Sequence, residues 1–162
     1  MTQTELLADV LKGNLDFLKM TIGDFSDGDM VARPCPGANH AAWQLGHLIS
    51  SEMGSLGLLS GRAPELPAGF KEKFTKDTAK IDDPQFFPKK NELVDAFSKV
   101  RNATVEWVKT LKPADLERQS PEKIRGWAPT LGHWVAMAPV HVAMHVGQFQ
   151  VIRRKLGKPI LF

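Results

Sequence analysis

Residues 138–157 read APVHVAMHVGQFQVIRRKLG, an apolar run that holds His141 and His145 and closes on Arg153, Arg154 and Lys155. It belongs to a helix predicted from about Thr130 to Leu156, with Gly157 and then Pro159 supplying the stop. Pro139 lies inside that span. A proline there removes a backbone donor, so a kink or a division of the helix is expected. Cations in the last turn complement the helix dipole, which accounts for the basic cluster without invoking a ligand. So apolar a helix needs partners to cover it.

Three other segments have helical periodicity. The first, Thr2 to Ile22, places Leu6, Leu7, Val10, Leu11, Leu18 and Ile22 along one face, and Thr2 with Glu5 has the spacing of a capping box. The second starts after RPCPGAN with Asn39 as the expected N-cap. It continues through Trp43, His47, Met53, Leu56 and Leu59 to a stop at Gly61 and Pro64. The third, Lys90 to Leu111, spaces Leu93, Phe97, Val100, Trp107, Val108 and Leu111 at near-heptad intervals. Prolines and mixed charges in residues 61–88 (GRAPELPAGFKEKFTKDTAKIDDPQFFP) argue against a regular element through most of that connector. A shorter link, KPADLERQSPEKIRGWAP, joins the third and fourth segments. No strand alternation and no internal repeat stand out. The expected fold class is all-α: a four-helix bundle with a long crossover between helices 2 and 3, spanning residues 1–162 as a single domain.

The composition sets further bounds. A chain of 162 residues with 43% hydrophobic residues can bury a substantial core. Its 21 basic and 18 acidic residues are interspersed and leave a net charge of only +3, which gives no support to nucleic-acid binding. The single cysteine, Cys35, cannot form an internal disulfide, which fits a reducing compartment or is neutral to it. The first residues, MTQTELLADV, lack the pattern of a signal peptide. No apolar run approaches the roughly 20 residues that span a bilayer. The expectation is a cytoplasmic domain without membrane contact.

Two histidines four apart on a helix differ by about 40° around its axis and about 6 Å along it, so both rings can reach one point. Imidazole is a neutral nitrogen donor for zinc and its neighbours, but two ligands seldom hold an ion, and a third must come from elsewhere. His47, in the second segment, is the candidate. On residues alone two readings stand side by side: His47, His141 and His145 hold a metal, or they are hydrogen-bonded core residues. HExxH and ExxH are both absent, which removes the zinc-protease and di-iron carboxylate patterns. His40 falls in the first turn of the second helix, where a solvent-facing role is expected. His133 is expected at a rim or behind a ligand rather than as a ligand itself. Gln148 could orient a ligand ring or remain exposed. Cys35, between Pro34 and Pro36, reads better as an inert loop thiol than as a nucleophile. Trp43, Trp107, Trp127 and Trp134 could line a pocket mouth or pack in the core.

The stretches PCPGANHAAWQLGHL and HVAMHVGQFQVIRRKLGKPILF resemble the two halves of the DinB-like (DinB/YfiT) superfamily. LPAGFKEKF and the closing LGKPILF look like one branch of it, so the likeness runs from about residue 34 to the C-terminus. The resemblance implies an up-down-down-up bundle with a divalent metal, nickel or zinc first and iron next, bound by His47, His141 and His145. It also implies a homodimer and a small-molecule substrate, with a low-molecular-weight thiol as candidate. Three neutral imidazoles leave the ion's charge uncompensated, so an open position should attract a thiolate or hydroxide. The activities expected are therefore thiol-dependent S-transfer or hydrolysis. The competing expectation is a non-catalytic stress or interaction bundle with structural histidines or a structural ion.

Overall fold

The computed structural model describes residues 1–161; Phe162, the last residue of the closing motif and of the expected domain, lies outside the described residues. Four long helices form: α1 (Gln3–Ile22), α2 (Ala41–Ser60), α3 (Lys90–Lys109) and α5 (Leu131–Lys155), with a single-turn α4 (Glu122–Arg125) before the last. No strand occurs among the described residues, only an isolated bridge between Gln119 and Thr130. Thr2 caps α1 through a capping box: its hydroxyl accepts from the Glu5 amide at 3.2 Å, and its own amide donates to the Glu5 carboxylate at 2.6 Å. Gly61, with φ +68, ends α2 in the left-handed conformation that costs glycine least.

Directions follow from the hydrogen bonds between helices. Asn14 meets Pro139, and Thr21 meets Arg153, so α1 and α5 run parallel. Leu11 meets Arg101 while Gly23 meets Lys90, so α1 and α3 are antiparallel. Gln44 meets His145 and His47 meets His141, so α2 opposes α5 and therefore lies parallel to α3. The order is up-down-down-up. Two consecutive parallel helices can be joined only by a chain that travels back along the bundle, which is what the long connector does.

That connector is more ordered than its composition suggests. Two 3₁₀ turns, Lys71–Phe74 and Thr78–Lys80, break it up, and Phe70, Phe74 and Phe87 are buried in the main core. Phe74 lies so close to α2 that a Cβ on Gly46 would sit 2.1 Å from its ring. The glycine preceding His47 is thus what lets the crossover press flat on α2.

The buried stripe of α1 is Thr4, Ala8, Leu11, Leu15, Leu18 and Ile22, a strict alternation of four- and three-residue steps. Leu6 and Val10, expected on that face, are instead 48% and 45% exposed, because the heptad frame is set by Ala8 and Leu15. Each large apolar side chain taken fully out of water contributes about 1.5–3 kcal/mol. Pro139 neither divides nor ends α5, which runs unbroken through it with the proline buried. Its carbonyl accepts from Asn14 Nδ2 at 3.2 Å, which ties the proline turn to α1. α5 is also the one helix among the described residues long and apolar enough to cross a membrane, at mean hydropathy 1.2, although no such run was expected. Its outward face is apolar as well as its inward one: Met137, Val140, Met144 and Val151 are exposed while Trp134, Val142, Phe149 and Ile152 are buried.

At mid-height the helices share a charged brace. The fully buried Arg101 of α3 donates to both carboxylate oxygens of Glu52 on α2, at 2.8 and 2.7 Å, and to Leu11 O and Asn14 Oδ1 of α1, at 3.1 and 3.0 Å. Arg153, in the cluster read as complementing the helix dipole, is likewise buried; it bonds Asp24, the Thr21 carbonyl at 2.9 Å and the Pro159 carbonyl at 2.9 Å. Breaking a buried pair on one side leaves an uncompensated charge, at a cost of about 3–5 kcal/mol. Arg101→Met is expected to destabilise by that amount in chemical denaturation, and adding Glu52→Leu is expected to restore a large part of it. A single variant as stable as the wild type would show that the brace does not hold the bundle.

Candidate metal centre

His47 comes from the second turn of α2, and His141 and His145 from the middle of α5. Because α2 and α5 are antiparallel neighbours, the three rings face one another across the groove. Ring centroids lie 5.2 Å apart for His47 and His141, 5.5 Å for His47 and His145, and 5.0 Å for His141 and His145. One nitrogen from each ring falls within 4.8 Å of the other two. The Nε2 atoms of His141 and His145 are 3.3 Å apart. Two nitrogens on a tetrahedral ion at 2.0–2.1 Å stand about 3.3 Å apart, so this pair already has the required spread. The donor set fits a divalent ion, and all three rings are half-buried.

Two of the three rings, His145 and His47, are held from behind. Gln44, buried one turn before His47, donates from Nε2 to the Asn39 carbonyl at 2.5 Å. That bond fixes the amide with its oxygen toward α5, where it lies 2.7 Å from His145 Nδ1. An amide oxygen only accepts, so His145 Nδ1 carries the proton and Nε2 presents a lone pair to the cluster. Trp43 stacks on His47 at 5.4 Å between centroids with ring planes only 2° apart, and is itself anchored by donation from its indole nitrogen to the Thr75 carbonyl at 2.9 Å. The crossover therefore reaches the cluster through Trp43.

The electrostatics keep the rings neutral. Burial lowers the pKa of His47 and, first among causes, that of His141, where His47 and Arg101 add to the effect. Burial together with His141 and His47 pushes His145 down to about 4. Neutral imidazoles at physiological pH are ready donors.

The other candidates separate cleanly from this cluster. His40 is fully buried rather than solvent-facing, and it takes the N-cap of α2 expected of Asn39. Its Nδ1 accepts from the Trp43 amide at 3.1 Å, so Nε2 carries the proton and donates to the Ile81 carbonyl at 2.9 Å, pinning the crossover to the helix start. His133 is exposed beside Thr130 and does not line the cavity next to the histidines. Gln148 is exposed; the orienting glutamine is Gln44. Cys35 is an exposed loop thiol. Trp43 stacks in the site, Trp127 and Trp134 line a cavity of about 370 Å³ that opens from His47 and His141, and Trp107 packs edge-on against Trp134.

A family model of the DinB superfamily matches residues 13–149. The chain belongs to the DinB superfamily. Among solved structures it is similar to a conserved protein of Enterococcus faecalis, with 19% identity, a TM-score of 0.75 and coverage of 98% of this chain and 99% of that one. It is also similar to YfiT from Bacillus subtilis, described as a probable metal-dependent hydrolase with an unusual four-helix bundle topology. There the identity is 18%, the TM-score 0.69 and the coverage 98% and 91%. At such identities the likeness establishes the fold. Comparison with the curated proteins gives no match.

The depressed histidines have a measurable consequence. An unfolded histidine takes up its proton near pH 6.5, whereas folded His145 does so only near about 4. Between those values the unfolded chain binds more protons, so stability rises with pH through the window and is lost as pH falls. The melting temperature of metal-free protein is expected to drop steadily from pH 6.5 to pH 4, and less steeply in His145→Gln. A flat profile in the wild type would contradict the buried neutral rings.

Proposed function

We propose that this protein is a divalent-metal-dependent enzyme acting on a small molecule, with the ion held by ring nitrogens of His47, His141 and His145. The observation that carries this is the convergence of three neutral imidazoles, within 4.8 Å of one another, at the end of an open cavity. Nitrogen donors accommodate zinc, nickel or iron, zinc or nickel being the first candidates. When bound, such an ion supplies Lewis acidity and lowers the pKa of a water or thiol that joins it.

The chain's own residues do the rest. Gln44 holds the tautomer of His145, Trp43 holds the plane of His47, and the largely apolar cavity beyond His141 gives a small molecule access to the cluster. Two reaction classes suit that arrangement. Hydrolysis is supported by the description of the B. subtilis neighbour, and transfer of a low-molecular-weight thiol by the resemblance in the sequence. A second reading has its own observation. His145 Nδ1 is engaged by Gln44 and its Nε2 meets His141 Nε2 at hydrogen-bond distance, so the rings could serve a non-catalytic bundle.

Element analysis of untagged protein separates these readings. One equivalent of metal per chain is expected in the wild type and none in His145→Ala. Gln44→Ala is expected to weaken metal binding about 10–100-fold, the usual effect of losing a ligand's orienting partner. Wild-type protein without stoichiometric metal would end the enzymatic reading. In a cobalt-substituted sample, a thiolate-to-metal band on thiol addition would favour transfer, and an unchanged spectrum would disfavour it.

The reading includes a homodimer. The outer face of α5 supports it: Val140 and Val151 are exposed apolar side chains there, beside Met137 and Met144, which also edge the cavity. Sedimentation equilibrium is expected to give twice the chain mass, and Val140→Glu to give the monomer. A monomeric wild type at micromolar concentration would remove this part.

A further inference from the structure

The cavity beyond the histidines has a chemistry of its own. One wall is α2, which contributes His47, Leu48, Ser51, Glu52 and Ser55; the other is α5, with Trp127 added from the link before it. Since α2 and α5 are antiparallel, the polar stripe His47, Ser51 and Ser55, spaced one turn apart, faces Met137, Ala138 and Trp134 as the groove runs away from His141. The volume, about 370 Å³, suits a ligand or ligand part of one or two rings.

The charges of the lining are already accounted for. Apart from the histidines, Glu52 is its only ionisable group, and both of its carboxylate oxygens are taken by Arg101 at 2.8 and 2.7 Å. Among the described residues no lysine or arginine lines the cavity to meet an anion. Desolvating a charged group there would go uncompensated. Two indoles and two methionines offer aromatic and thioether contacts. Ser51 and Ser55 add hydroxyls to the lining, and neither has a hydrogen-bond partner among the described residues, which leaves them for a neutral acceptor on the ligand.

We propose that this cavity binds the uncharged, ring-containing apolar body of the substrate, with its reactive polar end directed at the histidine cluster. The second half of that statement rests on the metal-enzyme reading; the first does not. The groove thus separates recognition from chemistry: Trp127, Trp134, Met137 and Ala138 select the body, and the imidazoles at the other end face the group that reacts.

Isothermal titration with 2-naphthol and with naphthalene-2-sulfonate tests this on metal-free and on zinc-loaded protein. The neutral probe is expected to bind both forms; the charge comparison is made on the metal-free form, where the anionic probe is expected to bind at least about tenfold more weakly because its charge must be stripped of water. Ala138→Phe, which fills the groove, is expected to abolish 2-naphthol binding, and Val10→Phe on the exposed side of α1 to leave it unchanged. Trp127 is exposed and its loss should not unfold the chain, so Trp127→Ala, expected to weaken binding several-fold, serves if Ala138→Phe is unstable. No binding of 2-naphthol, sulfonate binding as tight to the metal-free form, or binding indifferent to both cavity variants would each overturn the proposal. Metal content decides the other reading separately. Naphthol binding by a protein that holds no metal leaves the cavity assigned and removes the metal centre, whereas a metal-loaded protein that ignores naphthol does the reverse.

Discussion

The bundle depends on the buried guanidinium of Arg101. It reaches α2 through Glu52 and α1 through Leu11 and Asn14, while the amide of Asn14 reaches α5 at Pro139. All four long helices are thereby tied at one level. Ridge-into-groove packing tolerates sliding by a turn at modest cost, but a buried ion pair does not, because a shifted register would leave a charge without its partner. The brace therefore sets the heights of the helices more strictly than the apolar core can.

Those heights place the histidines. Going from Pro139 toward the C-terminus of α5, His141 and His145 lie about 3 and 9 Å along the axis at 1.5 Å per residue. Going from Glu52 toward the N-terminus of α2, which is the same direction in space because the helices are antiparallel, His47 lies about 7.5 Å away. The ring from α2 thus arrives between the two from α5. A register fixed by charge at mid-bundle aligns three uncharged groups a turn or two above it. The turn containing Pro139 is part of that alignment, since its carbonyl is one end of the brace; the proline stands in a helix held on both sides rather than at a break.

Much of this was legible in the sequence, and what was not shares a cause. Helical periodicity located the four long helices to within a residue or two, and the histidine spacing on α5 named two of the clustered rings, with His47 the third. Arg101 and Glu52 were not legible, since single charges in amphipathic helices read as solvated faces until a partner on another helix is known. Gln44 was missed for the same reason: its value lies in two bonds, to Asn39 and His145, that only the fold creates. A signal existed, for Gln44 lies three residues before His47 and so shares its side of α2. His40 misled because an imidazole nitrogen can cap a helix as an oxygen does, and burial then makes it structural. The order in residues 61–88 was hidden because three spaced phenylalanines in a proline-rich, charged segment have no period to detect; the notch at Gly46 is what gives Phe74 a place to go.

The groove between α2 and α5 is where these constraints meet. Antiparallel neighbours present a continuous seam, and one-turn spacing repeats a given chemistry along each wall: His47, Ser51 and Ser55 on α2, His141, Ala138 and Trp134 on α5. Toward the C-terminal half of α5 the seam is closed by the crossover through Trp43, Gln44 and Phe74, which burial keeps rigid and which hold the rings. Toward its N-terminal half no crossover covers the seam, only Trp127 from the short link, so that end stays open. Rigid support at one end and an open apolar slot at the other follow from one topological fact. The long connector must run back along α2, and it covers only the part of the groove beside which it passes.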